Sequence, residues 1–192
     1  MLIELCPSAS LQYIPDFIDP SEGTALLNKW IKDMPWEQSE ISLFGKRLKI
    51  PRLNTWYGDK AYAYSGTRFE ARPMTAELTS LKQRIEDTSG LKFNSVLANW
   101  YRNGDDCMGW HSDDERSLGP NPQIASLSLG DKRRFVLREK SDKSNKQELV
   151  LEHGSLILML GKTQSLWQHT VPRTKRSQQS RLNLTFRYIC CD

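Results

Sequence analysis

Three side chains in the second half of the chain have the types and spacing of a metal site. His111 and Asp113 form a His-x-Asp pair within NWYRNGDDCMGWHSDDE, residues 99–115, and His169 follows in SLWQHTV. Residues two apart on an extended segment point to the same side, so one imidazole and one carboxylate can converge on one point. Two histidines and one carboxylate are the ligand set of non-haem Fe(II) oxygenases, which leave further positions open. A divalent cation would also offset the charge of Asp113.

A His-x-Asp pair alone is a weak signal, because histidines near acids are common on surfaces. A second pattern lies in RLNLTFRYI, residues 181–189, where polar and apolar side chains alternate. The polar face, costly to bury without partners, consists of Arg181, Asn183, Thr185 and Arg187. The two arginines are roughly 20 Å apart along a strand, and by leaning together they can hold both ends of a short dicarboxylate. The alternative is an exposed face with solvated arginines.

The strand NSVLANWY presents a comparable polar face, with Asn99 and Tyr101 on one side and apolar side chains on the other. His153 precedes a glycine at a predicted turn, so we interpret it as structural or exposed. The four cysteines, Cys6, Cys107, Cys190 and Cys191, form no C-x-x-C pair and no disulfide framework. They indicate reduced thiols, as in a cytosolic compartment.

The whole chain, 192 residues with a net charge of +4, suits one domain over 1–192. No apolar run reaches transmembrane length and no secretory signal is recognisable, so we expect a cytoplasmic protein, or a nuclear one in a eukaryote. Basic stretches at 44–52, 132–146 and 172–181 surround the acids of 105–115. This distribution suits a polyanionic partner, or it simply solvates loops.

The elements that must position these residues are two helices followed by short strands. The segment 17–36 predicts a helix with Asp19 as N-cap, Pro20 in the first turn and Glu22 at the capping-box position. The segment 72–90 predicts a second helix that ends at Gly90. Short β-like runs fill the chain from residue 93, and 41–66 is interpreted as hairpins and loops. This order predicts an α+β domain with a sandwich or jelly-roll core.

Taken together, these residues resemble the AlkB family of Fe(II)- and 2-oxoglutarate-dependent dioxygenases. The likeness covers about residues 41–189 and includes NWY, the His-x-Asp pair, WQHTVP and the Arg-x-Asn-x-Thr-Phe-Arg strand. It implies a double-stranded β-helix, a jelly-roll, with the N-terminal helices backing one sheet. It implies that His111, Asp113 and His169 bind Fe(II). The implied 2-oxoglutarate ligands are Asn99, Tyr101, Arg181, Asn183, Thr185 and Arg187.

The resemblance also implies a pocket for a flipped base. Tyr64 would stack the methylated base against His111, Asp114 would contact its exocyclic amino group, and Tyr62 and Glu115 would lie at the pocket edge. A cationic base such as 1-methyladenine or 3-methylcytosine suits acids and a π face. Ordinary hairpin packing is the alternative for both tyrosines.

Residues 41–72 are the implied nucleotide-recognition loops. Within ISLFGKRLKIPR, Phe44 at a Phe44-Gly45 turn is a candidate wedge for opening a base stack, or it packs into the domain. Lys46 and Arg52 are the candidate nucleic-acid contacts beside it. The FGK sequence resembles duplex-acting members, whereas PRLNTWYG and HSDDE resemble members that prefer single strands.

The expected function is oxidative demethylation of N-alkylated bases in DNA, with release of formaldehyde, succinate and CO2. The implied cofactors are Fe(II), 2-oxoglutarate and O2, with ascorbate as an in vitro reductant. We expect alkylated DNA as partner, no membrane, and a monomer. Three alternatives stay open: the same chemistry on RNA or tRNA, hydroxylation of a protein or small molecule, and a nucleic-acid-binding domain with an inactive site.

Overall fold

The computed structural model describes residues 1–43, 46–60, 62–64, 67–69, 71–176 and 179–190. Of residues 41–43, 46–47, 62–64 and 67–69, only the backbone is described. None of the helices in the described part of the chain combines the length and the apolar character needed to cross a bilayer.

The described residues form short strands and a few helices. The helices are α1 (Pro20–Asp33), α2 (Ala76–Ser89), α3 (Thr163–Leu166) and a 3₁₀ turn at Arg116–Leu118. The first seven strands are β1 (Leu2–Cys6), β2 (Ala9–Ile14), β3 (Glu40–Leu43), β4 (Lys46–Lys49), β5 (Leu53–Gly58), β6 (Tyr62–Tyr64) and β7 (Thr67–Phe69). The remaining strands are β8 (Ser95–Tyr101), β9 (Met108–His111), β10 (Ile124–Gly130), β11 (Arg133–Glu139), β12 (Lys146–Leu151), β13 (Leu156–Gly161), β14 (Trp167–Val171) and β15 (Arg181–Arg187).

Two antiparallel sheets make up the body of the fold. The larger has the order β1-β2-β13-β10-β15-β8-β5, and the smaller has the order β12-β11-β14-β9. The hairpins β3-β4 and β6-β7 lie outside both sheets. Consecutive strands of the chain therefore cross between sheets, as in a jelly-roll. This is the α+β jelly-roll that the sequence predicts.

The two long helices cover the outer face of the larger sheet. Trp30 of α1 and Leu81 and Ile85 of α2 share one buried cluster with strand residues such as Leu184 and Phe186. These two strand residues alternate with the polar side chains of β15, as the sequence predicts. All seven residues of β15 are buried, so the alternative of an exposed arginine face is wrong.

The ends of both helices agree with the predicted signals. Asp19 accepts hydrogen bonds from the backbone of Ser21 and Glu22, and Gly90 ends α2 with a left-handed φ of 70°. Glu22 occupies the capping-box position, but its side chain forms an ion pair with Arg84 of α2 at 2.5 Å. A tertiary ion pair thus links the two helices.

A second core lies between the sheets. Leu11 and Ile157 of the larger sheet meet Phe135 and Trp167 of the smaller one. This core includes Tyr101, so it continues directly into the polar face of β8 and β15. The site residues are therefore placed between the sheets rather than on a surface.

Two local features differ from the sequence-based prediction. The N-terminal hairpin β1-β2 extends the larger sheet, although the sequence did not indicate these strands. The predicted strand 165–171 begins at Trp167, because Thr163–Leu166 form the short helix α3. His153 is structural, as predicted: its Nδ1 accepts from the Gly130 backbone at 2.8 Å, and its Nε2 lies 3.0 Å from the Pro20 carbonyl.

We expect Gly130→Ala to lower the free energy of unfolding by about 1–3 kcal/mol. Gly130 lies opposite Arg181 at the end of β10, with φ at 90°. A Cβ there would lie 2.3 Å from the Ser180 carbonyl oxygen, so the backbone would have to move. Urea denaturation measures the change. Gly109→Ala is the control, since a Cβ at Gly109 meets nothing within 4 Å. Equal stability of the two variants would contradict the prediction.

Candidate metal centre and its pocket

Strand pairing brings the three predicted metal ligands together. His111 ends β9 and lies opposite His169 of β14 in the antiparallel register. Their rings meet edge to face, with centroids 4.2 Å apart. Asp113 follows two residues after His111, and one ligand atom from each of the three residues lies within 4.8 Å of the others.

Hydrogen bonds from the surrounding structure orient this group. The His111 Nδ1 lies 2.9 Å from the Gly109 carbonyl, to which it can donate, so Nε2 is the nitrogen that can bind a metal. The Asp113 backbone donates to Gln164 Oε1 at 2.9 Å, and Arg187 Nη2 donates to Asp113 Oδ1 at 2.6 Å. The second carboxylate oxygen, Oδ2, faces His169 Nε2 at 3.8 Å.

The electrostatics keep all three ligands in the protonation state that a metal requires. Burial lowers the pKa of His111, and burial together with the nearby His111 lowers the pKa of His169 to about 3. Burial alone would raise the pKa of Asp113, but Arg187 and the two imidazoles outweigh it and hold that pKa at about 2. At neutral pH the site therefore has two neutral imidazoles and one carboxylate.

The metal-ligand group forms one wall of a pocket between the sheets. The other walls include the polar face of β15 and the predicted residues Asn99 and Tyr101 of β8. The structure thus gathers the metal residues and the predicted 2-oxoglutarate residues around a single space.

Arg181 has unsatisfied hydrogen-bonding capacity in this pocket. It is 1% exposed, it donates through Nη2 to Ser128 Oγ at 2.9 Å, and its guanidinium lies 5.1 Å from the Tyr101 ring centroid. Its Nε and Nη1 make no well-formed hydrogen bond in the described part of the chain, although the Tyr101 side chain lies close enough to raise the pKa of Arg181 against the effect of burial. Burial lowers the pKa of Arg181 to about 10, so it is still cationic at neutral pH. Such a group calls for an anionic acceptor.

Arg187 is the counter-ion of Asp113, with Nη2 2.6 Å from Oδ1. Asn183 and Thr185 are engaged inside the protein: Asn183 Nδ2 donates to Ser126 Oγ and the Leu127 carbonyl, and Thr185 Oγ1 donates to Asn183 Oδ1 at 3.0 Å. These contacts fix the pocket wall.

Arg52 is not the surface nucleic-acid contact that the sequence predicts. It is 4% exposed, and its Nε donates to Asn99 Oδ1 at 2.8 Å. Its Nη1 lies 3.3 Å from the Cys107 carbonyl, while the Cys107 backbone donates to Pro51 at 2.9 Å. The cation therefore ties β5 to the pocket wall and to the loop before β9. The sequence showed that segment 44–52 is basic, but it could not show that Arg52 is buried, because burial depends on how the elements pack.

The predicted base-pocket acids lie beside the metal ligands. Asp114 is exposed and pairs with Lys140 at 2.9 Å, and Glu115 is half-buried just before the 3₁₀ turn. Tyr62 and Tyr64 belong to β6 and Lys46 begins β4, but their side chains lie outside what the structure describes. Phe44 and Gly45, the predicted wedge, and Cys191 also lie outside the described residues.

Two buried residues that support the site carried no usable sequence signal. Gln164 is fully buried and holds the Asp113 backbone, but it is an isolated glutamine in the chain. Arg133 belongs to a basic stretch that suggested phosphate contacts, yet it is 2% exposed. Its guanidinium donates to the carbonyls of Asn103, Asp106 and Pro172, so it joins the segments beside β9 and β14.

Comparisons with known proteins agree with this geometry. The family model described as the 2OG-Fe(II) oxygenase superfamily matches residues 10–187. The human alpha-ketoglutarate-dependent dioxygenase alkB homolog 3 is 41% identical over 187 residues, covering 93% of this chain and 65% of that protein. The DNA oxidative demethylase ALKBH2 of Arabidopsis thaliana is 33% identical over 97% of this chain and 68% of its own length. The chain belongs to the AlkB family.

This AlkB-family chain spans just under two thirds of the length of the alkB homolog 3 proteins that it matches. A solved structure, that of OsALKBH1, matches with a TM-score of 0.70 over 98% of this chain and all of that chain, at 18% identity. That likeness supports the jelly-roll fold. The family's iron fits the residues present, because two imidazoles and one carboxylate converge and the unsatisfied Arg181 faces the same pocket.

We expect the metal-free protein to lose stability as the pH falls from 6.5 toward 3. In that range the unfolded chain protonates His169 and the folded chain does not, so the free energy of unfolding falls by up to about 1.4 kcal/mol per pH unit. The lowered pKa of His111 acts in the same direction. The lowered pKa of Asp113 also contributes to the free energy of unfolding. That contribution is complete above pH 3.8 and is lost only as the pH falls toward 2.

Urea denaturation of the metal-free protein at several pH values measures this slope. The matched variant is His169→Leu, which removes one of the two titrating imidazoles and should flatten the curve. A wild-type stability that does not change over this range would contradict the prediction.

Proposed function

We propose that this chain is an Fe(II)- and 2-oxoglutarate-dependent dioxygenase that removes N-methyl groups from bases in DNA. The observation that carries the proposal is the convergence of His111, Asp113 and His169 on a pocket that also holds the unsatisfied Arg181. The names of the relatives, alpha-ketoglutarate-dependent dioxygenase and DNA oxidative demethylase, support the same assignment.

His111 Nε2, His169 Nε2 and Asp113 Oδ2 would hold the iron. With 2-oxoglutarate and O2 bound, the metal supplies the oxidation that inserts one oxygen atom into a C–H bond and forms succinate and CO2. The protein supplies ligand geometry: Gln164 accepts a hydrogen bond from the Asp113 backbone amide, and Arg187 donates to the Asp113 carboxylate. Hydroxylation of an N-methyl group gives a hemiaminal, which breaks its C–N bond to release formaldehyde and the free base.

Arg181 would bind one carboxylate of 2-oxoglutarate through Nη1, which has no protein partner among the described residues. Tyr101 and Asn99 would complete this end of the site from β8. Asn183 and Thr185 would line the co-substrate from β15 while remaining bonded to the protein. Arg187, held against Asp113, would keep the iron end of the co-substrate site cationic.

The base would enter beside Asp114, with Tyr64 stacking on it, Tyr62 and Glu115 at the pocket edge, and residues 41–72 reading the nucleotide. Phe44, Gly45 and Lys46 stay our candidates for a wedge and a backbone contact. Arg52 has no such role in the proposal, because it is buried against Asn99.

The decisive experiment follows methyl loss by mass spectrometry. Protein with Fe(II), 2-oxoglutarate and ascorbate in air is given single- and double-stranded DNA carrying one 1-methyladenine or 3-methylcytosine, together with RNA versions. We expect methyl loss with wild type and none with His111→Ala, which lacks one iron ligand. Turnover of 2-oxoglutarate to succinate without methyl loss on any strand would indicate that the substrate is a protein or a small molecule. Faster methyl loss from RNA than from DNA would indicate that RNA is the substrate.

A second test addresses the co-substrate. We expect Arg181→Met to raise the KM for 2-oxoglutarate by at least about tenfold, since a buried charge-assisted pair is lost. The same variant should weaken binding of N-oxalylglycine, an unreactive analogue, by a similar factor in calorimetry. Arg134→Met, which removes an exposed arginine paired with Glu148, is the matched control. An unchanged KM for 2-oxoglutarate in Arg181→Met would show that Arg181 does not bind the co-substrate.

A further inference from the structure

Asp114 already has a cation beside it in the structure. Lys140 Nζ donates to Asp114 Oδ2 at 2.9 Å and to the Gln164 carbonyl at 2.9 Å. The Lys140 side chain is 32% exposed and that of Asp114 is 53% exposed. The pair is thus open to solvent at its outer side, where an ion pair contributes little stability and can exchange partners.

The backbone places this ion pair at the edge of the metal centre. Asp114 follows the ligand Asp113 directly, and Lys140 comes directly after β11, with its amide donating to Leu166 at 2.8 Å. Gln164, whose carbonyl Lys140 contacts, also holds the Asp113 amide through its side chain. The ion pair and the predicted metal ligand Asp113 are therefore held by the same residue, Gln164.

We propose that Lys140 sets the charge selectivity of the base site by acting as the resident counter-ion of Asp114. This inference rests on the proposed function. A cationic methylated base can take over Asp114 only by displacing the ammonium group, so Lys140 reduces the advantage of a positive charge. A neutral methylated base meets an already neutralised carboxylate, so it avoids the cost of desolvating an unpaired charge. Lys140 thereby widens the range of bases accepted.

The two lesion classes separate this effect from ordinary DNA attraction. 1-Methyladenine and 3-methylcytosine carry a positive charge on the ring, whereas 1-methylguanine and 3-methylthymine are neutral. Removing a lysine weakens phosphate attraction for every oligonucleotide alike. A change in the ratio of the two affinities therefore reports on the base and not on the phosphates.

The experiment measures Kd by fluorescence anisotropy, without iron, for single-stranded oligonucleotides that carry 3-methylcytosine, 3-methylthymine or no lesion. We expect Lys140→Met to raise the preference for 3-methylcytosine over 3-methylthymine by roughly two- to fivefold, the range for loss of one exposed ion pair. Lys140→Arg keeps the charge and should keep the wild-type ratio. Lys143→Met, in the exposed turn between β11 and β12, removes the same charge and should also leave the ratio unchanged.

A double-mutant cycle tests whether the effect runs through Asp114. In an Asp114→Asn background, Lys140→Met should no longer change the ratio. If Lys140→Met weakens both lesions equally, Lys140 only braces α3 and the inference is wrong. If wild type binds methylated and unmodified strands alike, the base does not reach Asp114 and the inference is wrong, whereas the proposed function is judged separately by methyl loss.

Discussion

The buried charge of Asp113 is the constraint on which the site depends. An unpaired carboxylate between two sheets would be too costly to keep ionised. Arg187 of the opposite sheet neutralises this charge, with Nη2 2.6 Å from Asp113 Oδ1, and both side chains are almost fully buried. The pair forms only if β15 of the larger sheet faces the segment after β9 of the smaller one. The charge of Asp113 can therefore be buried only once the sandwich has closed.

Cationic groups outnumber the carboxylates around the pocket. Arg181 and Arg133 lie 5.1 and 5.6 Å from the Tyr101 ring centroid, and both are buried. Arg133 is bonded to backbone carbonyls, whereas Arg181 retains two nitrogens without a partner among the described residues. Burial lowers the pKa of each guanidinium, because a charge is costly away from water. A dianionic co-substrate would offset these positive charges, and a divalent metal would balance Asp113.

Polar side chains also connect the periphery of the fold to the pocket. Arg52 holds Asn99 and the loop before β9, Gln164 holds the Asp113 amide, and Lys140 joins Asp114 to α3. Each of these contacts spans two elements that are far apart in sequence. The geometry of the ligands is thus set by a shell of side chains that are not ligands themselves.

The sequence by itself determined what depends on neighbours along the chain: the caps at Asp19 and Gly90, the alternation of β15, and the His-x-Asp pair. Together with the family resemblance, these patterns were sufficient to predict the jelly-roll and to name the residues that meet in the pocket. Only the tertiary structure decided that Arg52 is buried, that Arg187 pairs with Asp113, and that Lys140 neutralises Asp114. A charged residue has the same local pattern whether it faces water or another sheet. Its role follows from which surfaces pack together, and that is a property of the folded chain.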